Sequence, residues 1–301
     1  MRLDHEALII GGGPAGLSAA LTLGRINRNA LVCDDGNPRN APSAHVNNFP
    51  SADGIHPAEW RKQARRDLEK YPSIHFFTGK VLSVQKGKDH FTAHLSDGRQ
   101  VIVKKVILAY GVQDRLLPIP GFNELWGKAI FHCPFCHGYE VRGTELGLIM
   151  KNEMAFHSMP LIASLAKKLT LLTDGPLSFT PEQTAVLKKF NVSVVQEKIT
   201  SLLHEGEKLT AVALENGEKL SPDYLFYAAA FPFQLKSDIG TSLGCAKNQF
   251  GLYQVNEFGA TSVAGVFACG DNMQAAQSVL LSCSTGAKAG FAVIAELLNG
   301  G

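Results

Sequence analysis

The sequence predicts an α/β protein built from two Rossmann-like three-layer domains, each a largely parallel sheet between helices. Three observations carry this. A short apolar run, Ala7-Leu8-Ile9-Ile10, passes through Gly11-Gly12-Gly13-Pro14-Ala15-Gly16 into a helical stretch at 17–23. A strand–helix–strand order returns at 146–150, 155–167 and 169–173. Short apolar runs bounded by turn residues and spaced by helical patterns mark parallel strands with crossover helices. The 301 residues are enough for two cores, and 45% hydrophobic with 19% charged residues is an ordinary globular composition.

The first run is a buried strand, and the glycines after it fit G-x-G-x-x-G at Gly11, Gly13 and Gly16. The first allows the tight turn, the second lets the backbone approach a pyrophosphate, and the third lets helix pack on strand. The helix N-terminus offers N–H donors and a positive dipole end to phosphates. The strand at 30–33 ends at Asp34, 23 residues beyond Gly11, where an acid can accept bonds from ribose hydroxyls; Asp35 is the neighbouring alternative. A dinucleotide site is therefore expected here. Residues 39–50 read as a loop and 59–70 as a helix. Strands follow at 75–77, 81–85, 91–95 and 101–103, with a Ser96-Asp97-Gly98 turn, and a buried strand at 106–111 ends in Gly111. Two prolines and a glycine at 116–121 give the first strong linker signal.

The second α/β unit does not repeat the glycine loop. At the equivalent turn stands Met150-Lys151-Asn152-Glu153-Met154-Ala155, and no glycine occurs between Leu148 and Asp174. Side chains there block backbone approach to a pyrophosphate, and Glu153 facing the turn would repel it. Asp174-Gly175 follows the next strand, where an NADPH site offers a basic residue. Nicotinamide binding is expected to be lost. The helix at 155–167 contains Pro160, an irregularity, and another helix is expected at 181–190. The chain closes with a strand ending at Gly270-Asp271, then Gln277-Ser278-Val279 and a helix at 284–298.

Net charge is +2, from 29 basic and 27 acidic residues, which gives no reason to expect nucleic acid or an anionic membrane as partner. The longest apolar stretch, 224–233, is too short to span a bilayer. Met1 to Glu6 runs directly into a strand with no signal peptide, so a cytoplasmic location is expected. Six scattered cysteines do not make a secreted disulfide framework. Cys33 and Cys269 lie in apolar runs and are expected to pack as small buried residues; Cys245 and Cys283 lack paired spacing.

The remaining motif is Phe131-His132-Cys133-Pro134-Phe135-Cys136-His137-Gly138-Tyr139-Glu140. A C-x-x-C pair closes a disulfide, binds a metal or, with a following His, anchors a haem. Haem attachment needs export, and zinc needs a second pair of ligands; neither is indicated. Two residues between the thiols allow the ring of a disulfide to close. His137 is the candidate acid/base, able to take a proton from a thiol and, as imidazolium, to lower a thiol pKa. His132 reads as a loop contact.

The assembled pattern resembles the low-molecular-weight thioredoxin-reductase family over nearly the whole chain. The residues concerned are Gly11–Gly16, Asn47-Asn48-Phe49-Pro50, Ala109-Tyr110-Gly111, the C-x-x-C, and Val266-Phe267-Ala268-Cys269-Gly270-Asp271. The resemblance implies a discontinuous FAD domain at 1–114 and 234–301, with a C-x-x-C-bearing, degenerate nicotinamide-type domain inserted at 115–233. It implies FAD contacts from Gly11, Gly13, Pro14, Ala15, Gly16 and Asp34 on the ADP side. It further implies contacts from Asn48, Gly111, Gly270 and Asp271 towards the flavin, with Gln277, Ser278 and Val279 along the isoalloxazine. Cys136 would face the flavin and Cys133 would exchange with substrate, in a homodimer. Ordinary thioredoxin reductases have Asp after the second Cys; Cys-x-x-Cys-His-Gly-Tyr-Glu is similar to the dithiol oxidases of the gliotoxin and holomycin type. The absent second glycine loop is similar to members that do not use NADPH, such as the ferredoxin-linked reductases. The expected activity is FAD-dependent thiol:disulfide exchange without efficient NADPH use. The partners implied are a thioredoxin-like protein or a small dithiol or disulfide, with ferredoxin or O2 as redox partner. A dithiol oxidase passing electrons to O2, and a flavin-binding redox sensor without turnover, are the alternatives.

Overall fold

The computed structural model describes residues 3–151, 153–227 and 232–300. In chain order the elements are β1 (His5–Ile10), α1 (Pro14–Arg25), β2 (Ala30–Asp34), α2 (Pro57–Arg66), β3 (Ile74–Thr78), β4 (Val81–Lys86), β5 (Phe91–Leu95), β6 (Gln100–Leu108) and β7 (Val112–Gln113). Next come α3 (Phe122–Leu125), β8 (Ile130–Phe131), α4 (Pro134–His137), β9 (Glu145–Ile149), α5 (Met159–Leu165), β10 (Lys168–Leu172), α6 (Pro181–Lys189) and β11 (Ser193–Val195). The last are β12 (Ile199–Glu205), β13 (Lys208–Leu214), β14 (Lys219–Leu220), β15 (Tyr224–Tyr227), β16 (Gln234–Leu235), α7 (Ile239–Ser242), β17 (Val266–Ala268) and α8 (Val279–Leu298).

The chain divides into two compact units, residues 1–41, 55–113 and 232–301 in one and 42–54 and 114–231 in the other. The partition expected from the sequence put 42–54 with the first. In the structure that segment joins the second, where its side chains bond to the α4 turn (Asn47 and Ser43, below).

In the first unit a mixed sheet runs β3-β2-β1-β6-β5-β4, with β17 also on β6. β1 is parallel to both β2 and β6, and its inner residues Ala7, Leu8 and Ile9 are fully buried, as a strand covered on both faces must be. The strands expected at 101–103 and 106–111 are one, β6. Its first half pairs antiparallel with β5 and its second half parallel with β17. Lys104-Lys105 reads as a break, but the Lys105 ammonium is buried against the Glu296 carboxylate at 2.6 Å.

The C-terminal helix is longer than expected. It starts at Val279 because the Ser278 hydroxyl accepts from the Leu281 N–H and caps it. At 20 residues it is long and apolar enough to cross a membrane by length and composition, although it is not an uninterrupted apolar run as 224–233 is. Counting uninterrupted apolar runs missed it because serines, a threonine, glycines and a lysine are interspersed. A face of this helix, including Gly286, Ala289, Gly290 and Val293, is buried. A Cβ on Gly286 would strike the Ala15 carbonyl oxygen, so backbone lies against backbone there.

In the second unit a parallel sheet runs β11-β10-β9-β15-β8, beside a small antiparallel sheet, β12-β13-β14. The turn 150–155 is only partly described: Asn152 lies outside the described residues, and so do the side chains of 153–155, including Glu153. A 3-10 helix (Glu153–Ser158) stands where the start of the 155–167 helix was expected, and α5 begins only at Met159 with Pro160 in its first turn. Proline is accepted there because the first turn has no N–H partner to lose. α6 is fixed by a capping box between Thr180 and Gln183.

Candidate active site

The cysteine pair is set by local chain chemistry. β8 delivers Cys133 in an extended conformation at the N-cap of α4, and Pro134 opens the helical turn. The Cys136 and His137 N–H groups both donate to the Cys133 carbonyl, at 3.1 and 3.2 Å. This brings the two Cα atoms to 5.3 Å, and Cys133 and Cys136 form a disulfide. The Gly138 N–H closes the turn on the Pro134 carbonyl at 2.8 Å, and a Cβ on Gly138 would strike that same carbonyl. The 42–54 segment braces the turn: Asn47 Nδ2 donates to the Cys136 carbonyl at 2.8 Å. Phe135, between the cysteines, is 71% exposed, and Tyr139 is 70% exposed with the Arg142 guanidinium 3.6 Å from its ring centre.

His137 stacks on Phe131 with ring centres 4.2 Å apart and 14° between planes. Its Nε2 lies 3.3 Å from Ser43 Oγ, and its Nδ1 is buried without a hydrogen-bond partner. Burial, with the field of His45 second, lowers its pKa from 6.5 to about 4. The ring is therefore neutral at physiological pH while the disulfide is closed. In that form the ring is able to accept a proton, the first half of the acid/base role expected of it. His132 stacks on Trp126.

The glycine turn in the first unit has the shape a dinucleotide requires. Gly11 has φ +110°, and a Cβ there would come 2.5 Å from the Ala109 carbonyl oxygen. A Cβ on Gly16 would collide with the Gly11 carbonyl, so Gly16 sets the contact of helix on turn. Gly13 differs: a Cβ there would meet nothing within 4 Å. Gly13 is also the N-cap of α1, with no side chain capping the helix and Pro14 and Ala15 next. This is an open cradle at a helix N-terminus, which fits the pyrophosphate of FAD. A Cβ on Gly12 would meet the Asp34 carboxylate at 2.7 Å, so Asp34 lies along the same turn.

The structure brings further expected residues together in this unit. Gly270 has φ +77° and its Cβ position is 2.9 Å from Ala15. Gly111 has φ +70°, with Asp271 Cβ 4.0 Å from its Cβ position. Asp271 accepts from Arg39 Nη1 at 3.1 Å and from Ser282 Oγ at 3.1 Å, and the same Arg39 Nη1 also donates to Gln277 Oε1. Ser278 is committed to capping α8, and Val279 is that helix's first residue. Asn48 falls in the other unit, with φ +61° and its N–H on Asp53 Oδ1 at 2.6 Å. Sequence reading missed Arg39, Ser43, Asn47 and Ser282. Only the Asn-Pro-Arg-Asn composition of the loop hinted at Arg39, and no spacing ties it to residues more than 230 positions later. Among the described residues, no group of three or more His, Cys, Asp or Glu could hold a metal ion.

At the turn after β9, Lys151 Nζ pairs with Asp174 Oδ2, while Asp174 Oδ1 accepts from the Ile199 N–H at 2.8 Å. Asp174 sits at φ +49°. Cys33 and Cys269 are buried, and burial pushes both thiols up to about 12, so they are inert packing groups.

Comparison with known proteins gives the family. Residues 5–290 match the pyridine nucleotide-disulphide oxidoreductase family. Thioredoxin reductase tcpT of Claviceps purpurea is 36% identical, over 97% of this chain and 94% of its own. The crystal structure of HlmI superposes with a TM-score of 0.92 at 32% identity, over 98% of this chain and 93% of its own. An oxidoreductase from Agrobacterium tumefaciens superposes with 0.91 at 34% identity, over 98% and 99%. With a matching family, an open cradle at Gly13 and a closed Cys133–Cys136 pair, the chain belongs to the pyridine nucleotide-disulphide oxidoreductase family, as a thioredoxin reductase-like, FAD-dependent disulfide oxidoreductase.

Proposed function

We propose that this flavoprotein exchanges electrons between FAD and the Cys133–Cys136 pair without efficient use of NADPH. FAD is held by the unit containing Gly11, Gly13, Pro14, Ala15, Gly16, Asp34, Gly111, Gly270, Asp271 and Gln277. When bound it supplies a two-electron redox partner for the cysteines. Cys133, at the N-cap of α4, is the exchanging sulfur; Cys136 is the sulfur directed to the cofactor, and His137 is the proton acceptor.

The observation that carries the NADPH part is the contrast between the two strand-to-helix turns. After β1 the helix starts at Pro14, with glycines between. After β9 the α-helix is delayed to Met159, and the acid at the next strand end is held by Lys151 and by Ile199. The turn carries no glycine cradle, and a short 3-10 helix (Glu153–Ser158) stands where the first unit has the N-terminus of a full α-helix, a poorer frame for a pyrophosphate. Stopped-flow mixing of the oxidised holoenzyme with NADPH tests this. Slow bleaching of the flavin band is expected, and bleaching at the rate of substrate turnover would refute it.

The substrate is a dithiol or disulfide, a thioredoxin-like protein in the first reading. The second reading is a dithiol oxidase with O2 as acceptor, closing a disulfide in a small molecule. It is favoured by Phe135, whose exposed ring between the two cysteines offers an apolar contact to a small substrate. Oxygen consumption driven by a small dithiol separates the two. A sensor would show no repeated turnover with either. A homodimer in the cytoplasm is the assembly and location this reading carries; sedimentation and fractionation test them.

A further inference from the structure

We propose that Ser43 is a positioning residue that fixes the His137 tautomer, so that Nδ1 is the bare atom and takes the proton of the sulfur released when the Cys133–Cys136 disulfide opens. This rests on the cysteine pair being the redox centre. A serine hydroxyl has one hydrogen to give and lone pairs to accept with. Ser43 Oγ donates to the His45 carbonyl at 2.9 Å. At 3.3 Å from His137 Nε2 it can then only accept, so Nε2 carries a hydrogen.

The other nitrogen is settled by its surroundings. Nδ1 is shut off from water and has no partner. An N–H there would be a buried donor without an acceptor, and on a doubly protonated ring it would carry charge as well. Nδ1 is therefore a lone pair, held one residue beyond Cys136. A 180° turn of the ring would keep the Phe131 stack but take Nε2 away from Ser43. His45 is fixed in turn by Nδ1 bonding to the Gly54 carbonyl at 3.1 Å, which steadies the carbonyl that Ser43 uses.

Chemically, a substrate thiol loses its proton to solvent as its sulfur bonds to Cys133 and the Cys133–Cys136 bond breaks; Cys136 leaves as a thiolate carrying the electron pair and takes up a proton. The substrate's second thiol, likewise deprotonated, then bonds its sulfur to the first, which closes the substrate disulfide and releases Cys133 as a thiolate. Once the pair is fully reduced, a cysteine S–H proton passes to Nδ1, leaving a thiolate beside an imidazolium. No other bond changes in that step, and the proton returns to sulfur as the ring becomes neutral. The base is thus concealed until the disulfide opens.

The test is nitrogen NMR of histidine-labelled holoenzyme in the oxidised state. His137 is expected to show a protonated Nε2 and an unprotonated Nδ1; the reverse tautomer, or an imidazolium, overturns the proposal. Ser43→Ala should populate both tautomers, while Ser43→Thr, which keeps the hydroxyl, should restore one. A net hydrogen-bond preference corresponds to up to about tenfold in the tautomer ratio, so alkylation of the reduced enzyme should slow by up to about that factor in Ser43→Ala and recover in Ser43→Thr. Equal rates in all three overturn the proposal. Cys133→Ser separates this from the underlying reading: if that variant retains disulfide exchange, the redox-centre reading fails, whatever tautomer is found.

Discussion

The neutral state of His137 makes stability depend on pH in a defined window. Burial holds the folded-state pKa at about 4, whereas the unfolded chain protonates near 6.5. Between those values the unfolded state binds the extra proton, so stability rises with pH through the window and falls as pH drops through it. The gap is worth about 3 kcal/mol, none of it lost above 6.5 and all of it lost near 4. The perturbation is His137→Gln, which cannot titrate. Denaturant unfolding of oxidised wild type and variant is measured from neutral pH down to about 4, and the difference between them removes the other titrating groups. Wild type is expected to lose about 3 kcal/mol relative to the variant, nearly all below 6.5. NMR titration of the His137 ring gives the folded value directly. A flat difference across the window, or a ring titrating near 6.5, refutes the reasoning.

Gly13→Ala should fold with a stability change within about 0.5 kcal/mol, because its Cβ meets nothing, yet purify with much less flavin by absorbance. Gly16→Ala should lose both, since its Cβ strikes the Gly11 carbonyl and overpacking costs about 1–3 kcal/mol. Arg39→Ala removes the donor shared by Asp271 and Gln277, and is expected to cost about 2 kcal/mol in thermal unfolding and to loosen flavin retention. Gly138→Ala should disturb the α4 turn and lower disulfide exchange while flavin content stays normal. Thr180→Ala, in the capping box of α6, should cost about 1 kcal/mol and leave turnover unchanged.

What was legible in the sequence was whatever depends on near neighbours. The glycine turn could be read because Gly11, Gly13 and Gly16 each answer a demand of the adjoining strand and helix. The disulfide ring closes within four residues. What failed depended on distant partners. β6 was divided in two because Lys105 looks like a break until Glu296 is found beside it. The loop at 42–54 gave no sign that Asn47 and Ser43 would hold the α4 turn. The resting charge of His137 was not legible, because spacing shows that a histidine is near a thiol but not how deeply the ring is buried.

The two units start from the same strand–turn–helix problem and resolve it differently. In the first, glycines keep side chains off the turn, the helix starts at once, and Asp34 lies along the backbone at Gly12. In the second, the corresponding acid, Asp174, is neutralised by Lys151 and its second oxygen is taken by a backbone N–H. An acid meant to hold ribose hydroxyls points its oxygens at the ligand; each oxygen of Asp174 already has a partner within the protein. On the proposed reading, a nucleotide there would need that ion pair broken as well as a glycine loop rebuilt. The proposed loss of nicotinamide use thus rests on the Lys151–Asp174 pair as well as on the missing glycines. A Lys151→Ala variant should accordingly gain no NADPH binding by isothermal titration, whereas measurable binding in that single variant would mean that the ion pair alone keeps the nucleotide out.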